Sequence, residues 1–368
     1  MMEEVKEGSV LSVQTNGIKV SEVVKDGDSL TFIIISQKLS GTGEYHVART
    51  YDDFDWLQQH LFSQEEVPGI QGIIFPPLPA RAQVNPSAKV MKQLGLLALG
   101  DWKPYGAALE QFLQQVASHS VLCKNKALED FLTSTEPPGR QKSKKNILNR
   151  LSQAVEGLRK EGHKDVEDFF QNERDLNQAL TNCTKVVAEK FLDVVQTEQK
   201  ISVACGHFSA ALQMCVESAE DPDKQDFSRV CKSLSEVFSS MGKHMLSVAE
   251  NDTDSLGLGL DLDSRYQDAE KEMLFRRTCK LVELEAAQRN AERAKPVKKA
   301  AMEEVKKTTE TEFNQISVMA KQEIMELKRA RVQWFQRALV LWCEKQLVTA
   351  KKNTEQLNLH LEKVRALA

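Results

Sequence analysis

Apolar positions in this chain follow two different periods, and the change from one to the other divides it. Ile18 to Val24 and Ser29 to Gln37 (SLTFIIISQ) are β-branched runs separated by Asp26-Gly27-Asp28, a turn signal between strands. Tyr45 to Thr50 alternates and predicts a third strand. From Tyr51 the period lengthens, with Phe54, Leu57 and Leu61 recurring at three and four, which predicts a helix. Phe75-Pro76-Pro77-Leu78-Pro79 is then extended, because proline fixes φ and lacks the amide hydrogen. Leu109, Phe112, Leu113 and Val116 mark an amphipathic helix, and Leu128, Phe131 and Leu132 close the module. Three strands followed by helices predict a small α+β domain over residues 1–135.

Glu136-Pro137-Pro138-Gly139 breaks the pattern. Beyond Lys142 only Pro222 and Pro296 occur, and helix formers dominate. These prolines predict three long helices over roughly 144–221, 223–295 and 297–366, since proline is tolerated in a first turn and not in a helix interior. In the last segment, eleven positions from Phe313 to Val348 recur at alternating three and four, and nine of them are apolar or alanine. Ile324, Leu327, Trp334 and Leu341 lie on this row, which reads as a seam for helix–helix packing and dimerisation. A helix of about 65 residues spans about 100 Å, so three antiparallel ones make a rod. The predicted domains are 1–135, a linker with an amphipathic helix at 136–162, and an all-α dimerisation region at 163–368. One stretch, Ser255 to Asp263 (SLGLGLDLD), has two glycines and an alternation that argue against an uninterrupted helix.

Composition narrows the function. Among 368 residues, 28% are charged, and the net charge of −4 provides no global field for nucleic acid. Seven scattered cysteines without Cys-x-x-Cys fit reduced thiols in a cytosolic protein. No secretory signal is expected from the acidic start, and no apolar run is long enough to span a bilayer. His-Glu-x-x-His, Gly-x-Ser-x-Gly and glycine-rich phosphate loops are missing, and the seven histidines are dispersed. No enzyme activity, metal or cofactor is expected.

Local charge is less even. Lys142, Lys144, Lys145 and Arg150 cluster beside an apolar face that includes Leu151. A basic amphipathic helix of this kind either lies in a membrane interface or packs on a partner. Arg289, Arg293, Lys295, Lys298 and Lys299 flank Pro296, at the turn between the last two helices. Such cations either contact an anionic surface or simply solvate a helix end.

Arg49-Thr50-Tyr51-Asp52-Asp53-Phe54 with Trp56-Leu57, followed by the proline-rich loop, resembles the core of PX domains. A PX domain ahead of three long helices resembles the PX-BAR sorting nexins. Asp168-Phe169-Phe170, Leu274-Phe275-Arg276-Arg277-Thr278 and Leu327-Lys328-Arg329-Ala330-Arg331-Val332 are similar to the sorting nexin-5/sorting nexin-6 branch. The resemblance implies a peripheral scaffold of endosomal sorting on early endosome membranes, sensing or generating curvature as a homo- or heterodimer with another PX-BAR sorting nexin. It also implies transmembrane cargo and anionic or phosphoinositide-containing membranes as partners. The alternative is a coiled-coil adaptor that binds only proteins.

Two departures bear on this choice. Phosphoinositide-binding PX domains carry arginine before the motif tyrosine, and Thr50 stands there. They carry a second arginine before the last helix, where this chain has Tyr105 with Lys103 nearby. Arg49, Thr50, Tyr51, Lys103 and Tyr105 therefore read as a degenerate phosphoinositide pocket, because neither threonine nor tyrosine replaces a bidentate guanidinium. The five/six branch also carries a long helical insertion after the proline-rich loop, used to grip cargo. Residues 80–104 are too few for it.

Overall fold

The computed structural model describes residues 11–64, 67–83, 87–98, 102–138, 164–215 and 222–366, apart from the side chains of 222–226. β1 (Val13–Asp26), β2 (Ser29–Lys38) and β3 (Glu44–Thr50) form an antiparallel sheet in the order β1-β2-β3. Gly27 at φ 57° makes the first turn. β1 is longer than its apolar run because polar residues extend the ladder through Lys25↔Leu30 and Asp26↔Ser29. Leu30, Phe32 and Ile34 alternate inward onto α1 (Tyr51–Phe62), α3 (Lys103–Ser118) and α4 (Lys126–Thr133). Phe54 is at the centre, with ring centroids 5.1 Å from Phe131, 5.9 Å from Phe32 and 6.2 Å from Phe112. Residues 80–104 carry a short helix of their own, α2 (Ala88–Leu94), which the sequence pattern did not suggest.

The remaining elements are long: α5 (Asp168–Met214), α6 (Pro222–Asp252), α7 (Leu258–Arg293) and α8 (Pro296–Arg365). Each proline begins a helix, as expected from its missing donor. The glycine-bearing stretch does not break the second segment. A single π-helical turn, Thr253–Gly257, joins α6 to α7. Two side chains explain the bulge: Thr253 Oγ1 donates to Ala249 O at 2.8 Å, and Ser255 Oγ donates to Asn251 O. Gly259 serves packing here, since a Cβ would lie 3.0 Å from Ala338 Cβ.

The chain divides into two compact units, Met1–Thr184 with Leu262–Ala330, and Lys185–Asp261 with Arg331–Ala368. In the first unit the sheet domain seats on α7 and α8. Arg276 donates to Gln71 O at 3.1 Å and Ile73 O at 2.6 Å, Arg265 donates to Pro77 O at 2.7 Å, and Ile74 N donates to Glu323 Oε2 at 3.1 Å. His119 Nε2 lies 3.2 Å from the other Glu323 oxygen. Arg277, buried, holds the start of α5. It donates to Asp165, Glu167 and Ser317, with its guanidinium 3.4 Å from the Phe170 ring centroid. Asn177 on α5 donates to Gln267 O and Glu270 on α7, while Arg277 further along α7 reaches back to Asp165 and Glu167 before α5, so within this unit the two helices run antiparallel.

In the second unit, Ser209 and Ser235 exchange hydrogen bonds between α5 and α6. Asp252 is buried and accepts from Trp342 Nε1 at 2.7 Å and from Gln346. Beside it, Glu198 Oε2 is buried without a hydrogen-bond partner. Burial, then the Asp252 charge, pushes the Glu198 carboxyl up to about 7. Among the described residues no helix is long and apolar enough to cross a membrane.

Candidate functional site

The first unit contains an open cavity of about 450 Å³ between the β1–β2 turn and the start of α1. Its lining includes Asp26, Asp28, Thr50, Tyr51, Asp52, Arg81 and Tyr105. Thr50 is engaged at the start of α1, where its amide and hydroxyl both donate to Asp53 Oδ2, at 2.7 and 2.9 Å. Tyr51 donates to Pro79 O at 2.8 Å. Burial above all pushes its phenol up to about 12. Tyr105, fully buried, donates to Ala80 O at 2.9 Å and accepts from Ala82 N, so it fastens the chain that follows the proline-rich loop. Burial raises its phenol as well.

Three carboxylates face one guanidinium here, and that guanidinium is already engaged. Arg81 pairs with Asp52 and lies 4.7 Å from the Tyr51 ring centroid. The described residues that line the cavity therefore carry a net negative formal charge, which disfavours an anionic ligand. Sequence reading did not single out Asp26, Asp28, Asp52 or Arg81. The available signals were the Asp-Gly-Asp turn and the first cation after the proline-rich loop.

Two residues grouped with this pocket on sequence position do not line it. Successive strand residues point to opposite faces, so Arg49 turns away from the side that Thr50 presents. It is fully buried, donating from Nε to Phe131 O at 3.1 Å and from Nη2 to Ser134 O, and it staples β3 to the end of α4. Lys103 begins α3 on the exposed surface.

The second cationic group sits at the turn between α7 and α8. Only Ala294 and Lys295 separate the helices, and Arg289, Arg293, Lys295, Lys298 and Lys299 are all exposed around it. The other predicted membrane-contacting residues, Lys142, Lys144, Lys145, Arg150 and Leu151, lie outside the described residues.

The four seam positions on α8 differ in burial. Ile324 and Leu327 are buried within the chain, Trp334 is half-buried, and Leu341 is exposed. A different row stands out on α5. Val187, Val194, Ile201 and Phe208 recur at seven and are each between 43% and 49% exposed. A period of seven keeps such residues along one stripe of a helix.

Residues 37–135 match the family model for the PX domain. Human sorting nexin-6 is 26% identical over 373 residues, covering 88% of this chain and 89% of that protein. Mouse sorting nexin-32 is 26% identical over 342 residues, covering 84% and 82% respectively. Among solved structures, the cryo-EM structure of the SNX-BAR Mvp1 tetramer aligns with a TM-score of 0.47 at 14% identity, covering 94% of this chain and 100% of that one. The chain is accordingly similar to sorting nexins over most of its length, with a PX-domain match in its N-terminal part and a long helical region after it.

Proposed function

We propose that the chain is a non-enzymatic peripheral membrane scaffold of endosomal sorting and trafficking. It acts in the cytoplasm, on early endosome membranes, and senses or generates curvature as a dimer with itself or with another PX-BAR sorting nexin. The PX domain ends near residue 135, and the dimerising helices begin near 163. The row of Val187, Val194, Ile201 and Phe208 carries this reading. Four large apolar side chains in heptad register on one helix leave a seam that a partner helix would cover. The membrane side of the proposal rests on the exposed cations of the α7–α8 turn.

Light scattering on the full-length chain tests the dimer. A dimer is expected at micromolar concentration, and Val194→Glu with Ile201→Glu should give monomers with unchanged helical content. A wild-type monomer would remove self-association. A wild-type monomer that also stays single when mixed with a partner nexin would remove the dimer altogether.

A second reading, an adaptor that binds only proteins, is favoured by one observation: the acidic lining of the PX cavity. Pelleting of the full-length chain with anionic vesicles separates the two readings.

A further inference from the structure

We propose that the first turns of α8 form a wedge that enters an anionic bilayer, with Val297 among the lipids and the surrounding cations on the headgroups. This inference rests on the membrane reading above and adds an apolar element to it. The turn between α7 and α8 is short and internally bonded. Ala294 N donates to Ala291 O at 3.4 Å, and Lys298 N donates to Lys295 O at 2.8 Å. Ala287 and Ala291 are buried on α7, and small side chains there let the two helices close tightly up to the turn. Whatever the turn presents therefore sits directly at the end of the helix pair.

What it presents is unusual in kind. Val297 is 96% exposed. Ala301 and Val305 are exposed behind it, at intervals of four that keep them on one side of the helix. A single exposed valine needs no explanation. This one sits among cations. Between residues 289 and 307 there are seven (Arg289, Arg293, Lys295, Lys298, Lys299, Lys306 and Lys307) against three carboxylates (Glu292, Glu303 and Glu304), a local balance of 7 − 3 = +4 in a chain whose net charge is −4. Little of that charge is neutralised internally. Arg289 stands 3.9 Å from Glu285 and Lys306 stands 3.6 Å from Glu303, both at the long end of ion-pair distance.

The combination selects the ligand. Cations alone would suit any polyanion, and a valine alone would suit any apolar groove. A β-branched apolar side chain ringed by lysines matches the boundary between headgroup and acyl chain, where both terms act together. An anionic bilayer is the partner that uses both.

Pelleting of the full-length protein with vesicles of phosphatidylserine and phosphatidylcholine tests this. Val297→Asn with Val305→Asn should weaken partition at least ~tenfold, given the transfer free energy of a buried valine. The melting temperature should be unchanged, because both side chains are exposed. Lys298→Glu with Lys299→Glu should weaken partition chiefly at low salt, where surface attraction is least screened. A Val297→Trp variant should show more quenching by brominated phosphatidylcholine than the wild type, whose four tryptophans serve as the baseline. Wild-type-like partition by the asparagine variant would overturn the wedge while leaving membrane binding to the cations, as would a Val297→Trp variant that is not quenched beyond the baseline. Wild-type protein that fails to pellet with anionic vesicles would remove the membrane reading and the wedge together.

Discussion

Gly72 is where the sheet domain meets α8 most closely, and its substitution separates docking from folding. A Cβ at Gly72 would lie 2.4 Å from Ile316 O, 2.9 Å from Ala320 N and 3.0 Å from Met319 Cβ. Two of these atoms belong to helical backbone, which cannot rotate away. Restoring ordinary contact at 3.4 Å requires the Ile70–Gly72 turn to withdraw by 3.4 − 2.4 = 1.0 Å. Ile74 N to Glu323 Oε2 and Arg276 Nε to Gln71 O, each now 3.1 Å, would then stretch to beyond hydrogen-bonding range. Overpacking costs about 1–3 kcal/mol and each hydrogen bond to a charged group about 1.5–3 kcal/mol, so Gly72→Ala should weaken docking by ~3 kcal/mol or more. The Phe54 cluster lies away from this contact, so the PX domain itself should stay folded. Hydrogen exchange provides the assay. Protection of residues 70–76 and 312–323 should fall in the variant while that of β2 remains. Gly95→Ala is the control: its φ of 52° with ψ of −122° lies outside the regions open to L side chains and imposes strain of about 1–3 kcal/mol, but a Cβ there meets nothing within 4 Å. Wild-type protection around 70–76 in Gly72→Ala, or an equal loss in Gly95→Ala, would refute the reasoning.

Other consequences are separable. The fold favours protonated Glu198 by raising it from 4.5 to about 7, so stability should decline as pH rises through that window and level off above it. Glu198→Gln should flatten the dependence of melting temperature on pH, and parallel profiles would contradict the assignment. Arg277→Met removes one of the two guanidiniums on the buried Asp165 carboxylate, leaving Arg174, and should destabilise the first unit by about 1.5–3 kcal/mol, read as a lower melting temperature. Thr50→Arg alone should give little binding of phosphatidylinositol 3-phosphate in titration calorimetry, because Asp26 and Asp28 remain. Adding Asp26→Asn and Asp28→Asn should improve it, and equally weak binding in the triple variant would show that charge is not the obstacle.

Periodicity revealed the elements better than it revealed their neighbours. The three strands, the helix from Tyr51 and the helix starts at Pro222 and Pro296 follow from local chemistry, because alternation, turn residues and proline act within a few positions. The π turn was half legible. Gly257 and Gly259 marked the irregularity, but the hydroxyls of Thr253 and Ser255 decide its form. Docking of the sheet domain was not legible at all, since Arg276 and Glu323 meet partners more than 200 residues away. The α8 seam was found as a period, but a period cannot say which covered face belongs to the chain itself. Ile324 and Leu327 are buried internally, while exposed apolar residues recur at seven on α5 and, at Val318, Met325, Val332 and Leu339, on a different row of α8. In the PX cavity, Thr50 and Tyr105 were marked by position. The acids that set its charge come from a turn and a helix start that only folding brings together.

The central claim, that the chain scaffolds curved membranes, is tested most directly by imaging anionic vesicles after incubation with the full-length protein and, in parallel, with the protein plus a partner nexin. Coated tubules are expected in place of spheres in at least one of the two, with their loss when Val194 and Ile201 are both replaced by glutamate. Vesicles that stay spherical in both, at protein concentrations that saturate the surface of the partner-containing sample, would contradict it.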